Sequence, residues 1–252
     1  MRYIFSTLTL ALAFFAVPAT AQVDVPEAAE AMTQTAESQA ALSPMDALEM
    51  LEEGNERFVN GNMINRDFRA QVAQTALGQY PFAVVLGCID SRVPPEIVFD
   101  QGIGDVFAPR IAGNFENTDI LGSMEFATAV AGSKVVVVLG HTSCGAVKGA
   151  CDHVELGNLT HTLAHIAPAV YAVRDDVPGP YTSANPTFVN AVAEENVHRT
   201  VRDVIERSQV MADLVEAGDL IVVGAMHDVA TGKVTFYDPI DSLDDLDAMG
   251  DM

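Results

Sequence analysis

Two short apolar runs constrain this chain more than any other feature: residues 82–86 (FAVVL) and 135–139 (VVVVL), each closed by a glycine, Gly87 and Gly140. They are continuous and β-branched rather than alternating, the pattern of strands buried on both faces, and such strands belong to parallel sheets covered by helices. Further strands are expected at 220–223 and 234–237, with helical patterns at 123–130 and 191–215, the latter broken once. The alternation predicts an α/β fold with a central, mostly parallel sheet flanked by helices and an N-terminal helical arm. With 49% hydrophobic and 19% charged residues over 252 positions, the chain can offset the entropy of ordering a core.

The ends read differently. Arg2, an apolar run over 3–17, Pro18 and the small triplet Ala19, Thr20, Ala21 form the pattern of a cleavable export signal, so residues 1–21 are expected to be removed and the mature chain to begin at Gln22 in the periplasm or outside the cell. Residues 22–42 read as a leader or helical arm. Ser43-Pro44 is an N-cap followed by proline at the first helical position, opening a helix through Ala47, Leu48, Leu51 and Phe58 and a domain expected over 43–240. Residues 241–252, with Asp241, Asp244, Asp245, Asp247 and Asp251, read as an acidic tail.

The chemistry lies just past the two strands. Cys88-Ile89-Asp90-Ser91-Arg92 follows the first and His141-Thr142-Ser143-Cys144-Gly145 the second. Carboxyl ends of parallel strands form the crevice of an open α/β sheet, so neighbouring strands would bring Cys88, Asp90, His141 and Cys144 together. Two thiolates and an imidazole suit a tetrahedral zinc ion, with the fourth position left for water or for Asp90. Either half alone would read as buried packing.

The stretch CIDSRVPPEIVFDQGIGDVFAPRIAGN (88–114), with GSMEFA (122–127) and VVVVLGHTSCGAVKG (135–149), resembles the signature of the β-class carbonic anhydrases. LEEGNERF (51–58), ENV (195–197) and VGAMHDVATGKVTF (223–236) extend the resemblance over most of 43–238. It implies a zinc enzyme that hydrates carbon dioxide reversibly to bicarbonate and a proton by attack of zinc-bound hydroxide. Cys88, His141 and Cys144 match its ligands. Asp90 and Arg92 match a dyad in which the arginine holds the carboxylate off the metal. Gln79, Phe107, Ala112 and Gly145 match substrate contacts. Departures are Phe126 and His227, each where tyrosine is common, and Val85, where some self-inhibited members carry tryptophan; the last favours an open site. The family also implies a homodimer or larger homo-oligomer, for which residues 44–59 could supply the exchanged helix. A carbon disulfide or carbonyl sulfide hydrolase on the same scaffold, and a non-catalytic zinc protein, are the competing readings.

Other signals carry less. Thirteen Lys+Arg against 35 Asp+Glu give a net charge of -22, which argues against nucleic acid and anionic membrane as partners. Cys151 is too far along the chain from Cys144 for an undistorted disulfide and reads as a buried free thiol. His161 and His165 have helical i, i+4 spacing, but Thr162 stands where a zinc protease needs its glutamate, so they read as a solvated face. Gly102 and Gly104 read as a turn, and Lys148 and Arg174 as scattered charges.

Overall fold

The computed structural model describes residues 32–249; the export signal expected at 1–21, the first part of the 22–42 leader and the last three residues of the acidic tail lie outside them. Thr35 opens α1 (Ala36–Ala41): its hydroxyl accepts the Ser38 N–H while the Ser38 hydroxyl accepts the Thr35 N–H. Gln39 of this helix is buried, and its Nε2 donates to the carbonyls of Pro81 at 2.7 Å and Ala131 at 2.8 Å, tying α1 to the body of the fold. Ser43 caps α2 (Pro44–Val59) in the same reciprocal way with Asp46, and Pro44 sits where its missing N–H costs nothing. α3 (Phe68–Thr75) precedes β1 (Ala83–Gly87), α4 (Pro95–Val98), β2 (Val106–Phe107) and α5 (Thr118–Glu125), which runs on as a π-turn over Phe126–Val130. Then come β3 (Val135–His141), α6 (Gly145–Cys151), α7 (Gly157–Ala172), α8 (Pro186–Glu206), α9 (Gln209–Glu216), β4 (Ile221–His227), β5 (Val234–Phe236) and α10 (Leu243–Met249).

The strands form one sheet in the order β2-β1-β3-β4-β5, parallel at every pairing except β4 with β5. Successive residues point to opposite faces, and both faces are apolar. Val84, Leu86, Val136, Val138 and Val222 pack under α5 through α9, whereas Ala83, Val85, Val135, Val137, Leu139, Ile221 and Val223 pack against Ala47, Leu48 and Leu51 of α2 and Val98 of α4. Gly140 is required by close approach: a Cβ there would run into Val197 of α8 and Met226 of β4. Among the described residues no helix is long and apolar enough to cross a membrane.

Several expected boundaries move. The strand expected at 220–223 continues to His227, because Gly224, Ala225 and Met226 are paired with β3, and Ala225 and Met226 also with β5, although none is β-branched. The strand expected at 234–237 ends at Phe236 and runs antiparallel, since the short 228–233 connection is a hairpin and not a crossover. The helix expected at 123–130 starts at Thr118, where the Asn117 side chain accepts the Ile120 N–H. That expected at 191–215 starts at Pro186, and its break falls at Arg207-Ser208, where Ser208 caps α9.

Candidate metal centre

Because β1 and β3 are parallel neighbours with Gly87 opposite Leu139, Cys88 leaves the sheet beside the last residues of β3. His141 closes β3 and is fully buried. The chain then turns sharply through Ser143, in the left-handed region at φ 58, and Cys144 becomes the cap of α6. The ligand atoms of Cys88, His141 and Cys144 all lie within 4.8 Å of one another, and all three residues are buried. The two sulfurs are 4.0 Å apart. Two thiolates on one tetrahedral zinc ion stand about 3.8 Å apart, so the spacing fits.

Each ligand atom is prepared for a cation. The Nδ1 of His141 is 3.0 Å from the Thr142 carbonyl, which fixes the proton on Nδ1 and leaves Nε2, a buried atom with no hydrogen-bond partner, facing the sulfurs with a free lone pair. The Gly113 N–H donates to Cys88 Sγ at 3.4 Å. The Cys88 thiol is pushed down to about 4, first by its hydrogen bond with Cys144 and then by His141 and the Gly113 N–H. The same contact and burial push Cys144 up, against the pull of the Ala146 and Val147 amides at the start of α6. Two close sulfurs without a cation share a proton, and a dication releases it.

Beside the cluster and outside it stands Asp90. Arg92 grips its carboxylate with Nε to Oδ1 at 2.9 Å and Nη2 to Oδ2 at 2.7 Å, and the Arg92 backbone N–H adds a third bond at 3.0 Å. This holds the Asp90 carboxyl well below the usual carboxylate range. Oδ2 lies 3.9 Å from His141 Nε2, so the carboxylate borders the metal position without joining the ligands.

The expected substrate contacts divide. Gly145 is exposed beside Cys144, with open space where a Cβ would stand, and Ala112 sits between Ile111 and the Gly113 that bonds Cys88. Gln79 does not reach the cluster within this chain. The segment after it is pinned at the opposite end of the sheet, where Pro81 accepts from Gln39 and Ser133, and the six steps from Phe82 to Cys88 span on the order of 20 Å. Phe107 is likewise level with Val84, below the ligands, and lines an open groove of about 770 Å³ with Phe126, its T-shaped partner at 6.2 Å. Phe126 is half exposed, and Val85 is buried on the α2 face of the sheet.

Three residues take parts that the sequence did not assign, although Asn196 lies in the ENV segment and His227 stands among the departures. Arg110 donates from Nε to the Cys88 carbonyl at 2.7 Å and from Nη2 to the Asp90 carbonyl at 2.6 Å, fixing the loop that carries both. Asn196 of α8 donates to the Gly113 carbonyl at 2.8 Å. His227, in register with His141, is buried with neither ring nitrogen hydrogen-bonded, and burial pushes it down to about 4, keeping it neutral. Cys151 is a buried free thiol, and His161 and His165 are exposed on α7. Gly104 lies in a turn at φ 89, and the Gly102 N–H donates to Asp105.

A family-wide sequence model described as carbonic anhydrase matches residues 83–234. Carbonic anhydrase 2 of Mycobacterium tuberculosis is 36% identical over 210 residues, covering 80% of this chain and 96% of that protein. The carbonic anhydrase of Mycolicibacterium smegmatis is 36% identical over 201 residues, covering 76% and 92%. Among solved structures, one of two tetrameric β-carbonic anhydrases from Sordaria macrospora superposes with a TM-score of 0.58 at 26% identity over 65% of this chain and 84% of its own. The Coccomyxa β-carbonic anhydrase bound to acetazolamide shares the fold, with a TM-score of 0.64 at 23% identity over 80% of this chain and 91% of its own.

Proposed function

This chain belongs to the β-carbonic anhydrase family, and from that premise we propose that it is a zinc enzyme interconverting carbon dioxide and bicarbonate at the Cys88–His141–Cys144 cluster. The observation that carries the reading is the orphaned His141 Nε2 facing two sulfurs 4.0 Å apart: a buried lone pair beside two buried thiols has no other evident use. Bound there, zinc would lower the pKa of a coordinated water toward neutrality and so supply the nucleophile.

The chain's own groups supply the rest. The Asp90 carboxylate accepts a hydrogen bond from the attacking water and aims it, and the Arg92 guanidinium, bonded to both carboxylate oxygens, keeps that acceptor from turning toward the metal. This pairing favours catalysis over a purely structural zinc site, in which a coordinating Asp90 would need no competing guanidinium. The open space at Gly145 and the small side chain of Ala112 leave room for a compact uncharged substrate. Carbonyl sulfide and carbon disulfide have the same linear shape, and assays with them decide between the two activities.

Homo-oligomerisation belongs to the same proposal. Gln79 and Phe107 are a strand's length or part of one from their own metal position, so they can serve as substrate contacts only from a second copy. Phe126 at 52% and Val130 at 73% exposure offer an apolar surface for that copy beside the groove. We also assign residues 1–21 to export, from the apolar run and its small-residue end; a secreted protein whose mass begins near Gln22 is the expected result. The experiment for the activity is zinc analysis with stopped-flow carbon dioxide hydration on wild type and Cys88→Ser. Wild type carries one zinc per chain and is active; the variant loses both.

A further inference from the structure

We propose that His161 and His165, one turn apart on α7, form a second metal site that takes a borderline divalent ion of the zinc, nickel or copper class. Their ring centroids are 5.1 Å apart. The ring planes meet edge to face at 86°. An ion about 2.0–2.1 Å from each nitrogen lies about 3.2 Å from each ring centre, and a tetrahedral angle then separates the centres by about 5 Å, so the observed separation is the one a shared ion needs and rotation of the exposed His161 ring brings a nitrogen to it. Both residues are exposed, and among the described residues no hydrogen bond occupies either ring.

One of the two is also held in place. His165 stacks on Phe115 with centroids 4.3 Å apart and ring planes within 7°, which removes rotamer freedom that a surface histidine otherwise loses on binding a metal. Partial burial, His161 and Arg207 lower its pKa, which favours the neutral, ligating form. Arg207, the cation acting on His165, is ion-paired with Glu116 and so opposes a bound ion less than a free guanidinium would. Thr162, between the two histidines in sequence, donates its hydroxyl to the Asn158 carbonyl at 3.3 Å. With no carboxylate there to act as a base, the pair suits capture of an ion and not hydrolysis. It is separate from the Cys88–His141–Cys144 cluster. The adjacent Ile166 nonetheless packs where a Cβ on Gly113 would stand, so the site lies on the wall of the loop that bonds Cys88.

The test titrates the full-length, zinc-loaded protein with Ni²⁺ at neutral pH by calorimetry. The expected result is saturable binding of one further ion per chain, lost in both His161→Ala and His165→Ala and retained in His153→Ala, where another exposed histidine is removed. Both α7 variants replace exposed helical side chains with alanine, and circular dichroism with a zinc count confirms that they remain folded and loaded. Absence of saturable Ni²⁺ binding to the wild type, survival of that binding in either α7 variant, or its loss in His153→Ala overturns the proposal.

Discussion

Arg92 bonds both carboxylate oxygens of Asp90, two residues away, at 2.9 and 2.7 Å, and thereby leaves Asp90 Oδ2 3.9 Å from Nε2 of His141. The spacing keeps an acceptor beside the metal position without surrendering that position to it. Arg92→Ala is therefore expected to keep its zinc and lose carbon dioxide hydration by about 10- to 100-fold, the range found when partners of metal-site groups are removed. Stopped-flow rates normalised to zinc content check this; an undiminished rate would show that the clamp is dispensable.

The same pair sets a pH window. The Asp90 pKa is lowered by the Arg92 hydrogen bonds above all, so the folded state binds its proton less readily than the unfolded chain, whose carboxyl titrates near 3.8. The stabilisation is thus fully present above about pH 4 and is lost only as pH falls further, through the depressed folded value. The difference in denaturant stability between wild type and Asp90→Asn should stay constant from neutrality to about pH 4 and shrink below it. A difference that closes between pH 7 and 5 would contradict the assigned cause.

Cys151 provides the complementary case. Burial pushes its thiol up to about 11, so between the ordinary value of 9.0 and about 11 the fold keeps it protonated where an unfolded cysteine would ionise. Cys151→Ser should retain zinc and rate, and iodoacetamide at pH 8.5 should label Cys151 in the native protein far more slowly than in denaturant. Equal labelling of folded and unfolded protein would remove the burial argument.

What could be read from the residues, and what could not, follows from the range of the interactions. The convergence of Cys88, His141 and Cys144 was legible because these residues follow continuous β-branched runs, and parallel strands bring such ends to one crevice. The parts taken by Arg110, Asn196 and His227 were not, because each acts across the fold, and nothing local separates a loop-fixing arginine from a solvated one. Gln79 shows a different gap: spacing from Cys88 along the chain does not say that a strand intervenes and puts the two at opposite ends of the sheet. The end of β4 was missed because Gly224, Ala225 and Met226 lack β-branched side chains and are held instead by pairing with the neighbouring strands.

Gly113 joins the fold to the site. It has φ 91, its N–H donates to Cys88 Sγ, and a Cβ there would collide with Ile166. Gly113→Ala should cost about 1–3 kcal/mol in stability and weaken zinc retention, measured by denaturant unfolding and by competition with a chelator. A variant with wild-type stability and zinc affinity would mean that neither the backbone angle nor the contact matters.

Asp100 anchors the segment after α2. It is fully buried, accepts from Arg57 Nε at 2.6 Å and the Ile64 N–H at 3.2 Å, and is also paired with the mostly buried Arg66. Asp100→Ala leaves those donors without their acceptor and should cost about 3–5 kcal/mol. Denaturant unfolding of the zinc-loaded variant checks this, and a loss under 1 kcal/mol would show that the network relaxes.

The central claim is that Cys88, His141 and Cys144 hold a zinc ion on which carbon dioxide hydration depends. Its most direct test is the stopped-flow hydration rate of one preparation measured as purified, after zinc is stripped with a chelator, and after zinc is returned. The expected result is activity with one zinc per chain, loss on stripping and recovery on return, with no recovery in Cys88→Ser. A stripped protein that hydrates carbon dioxide at the original rate would contradict the account.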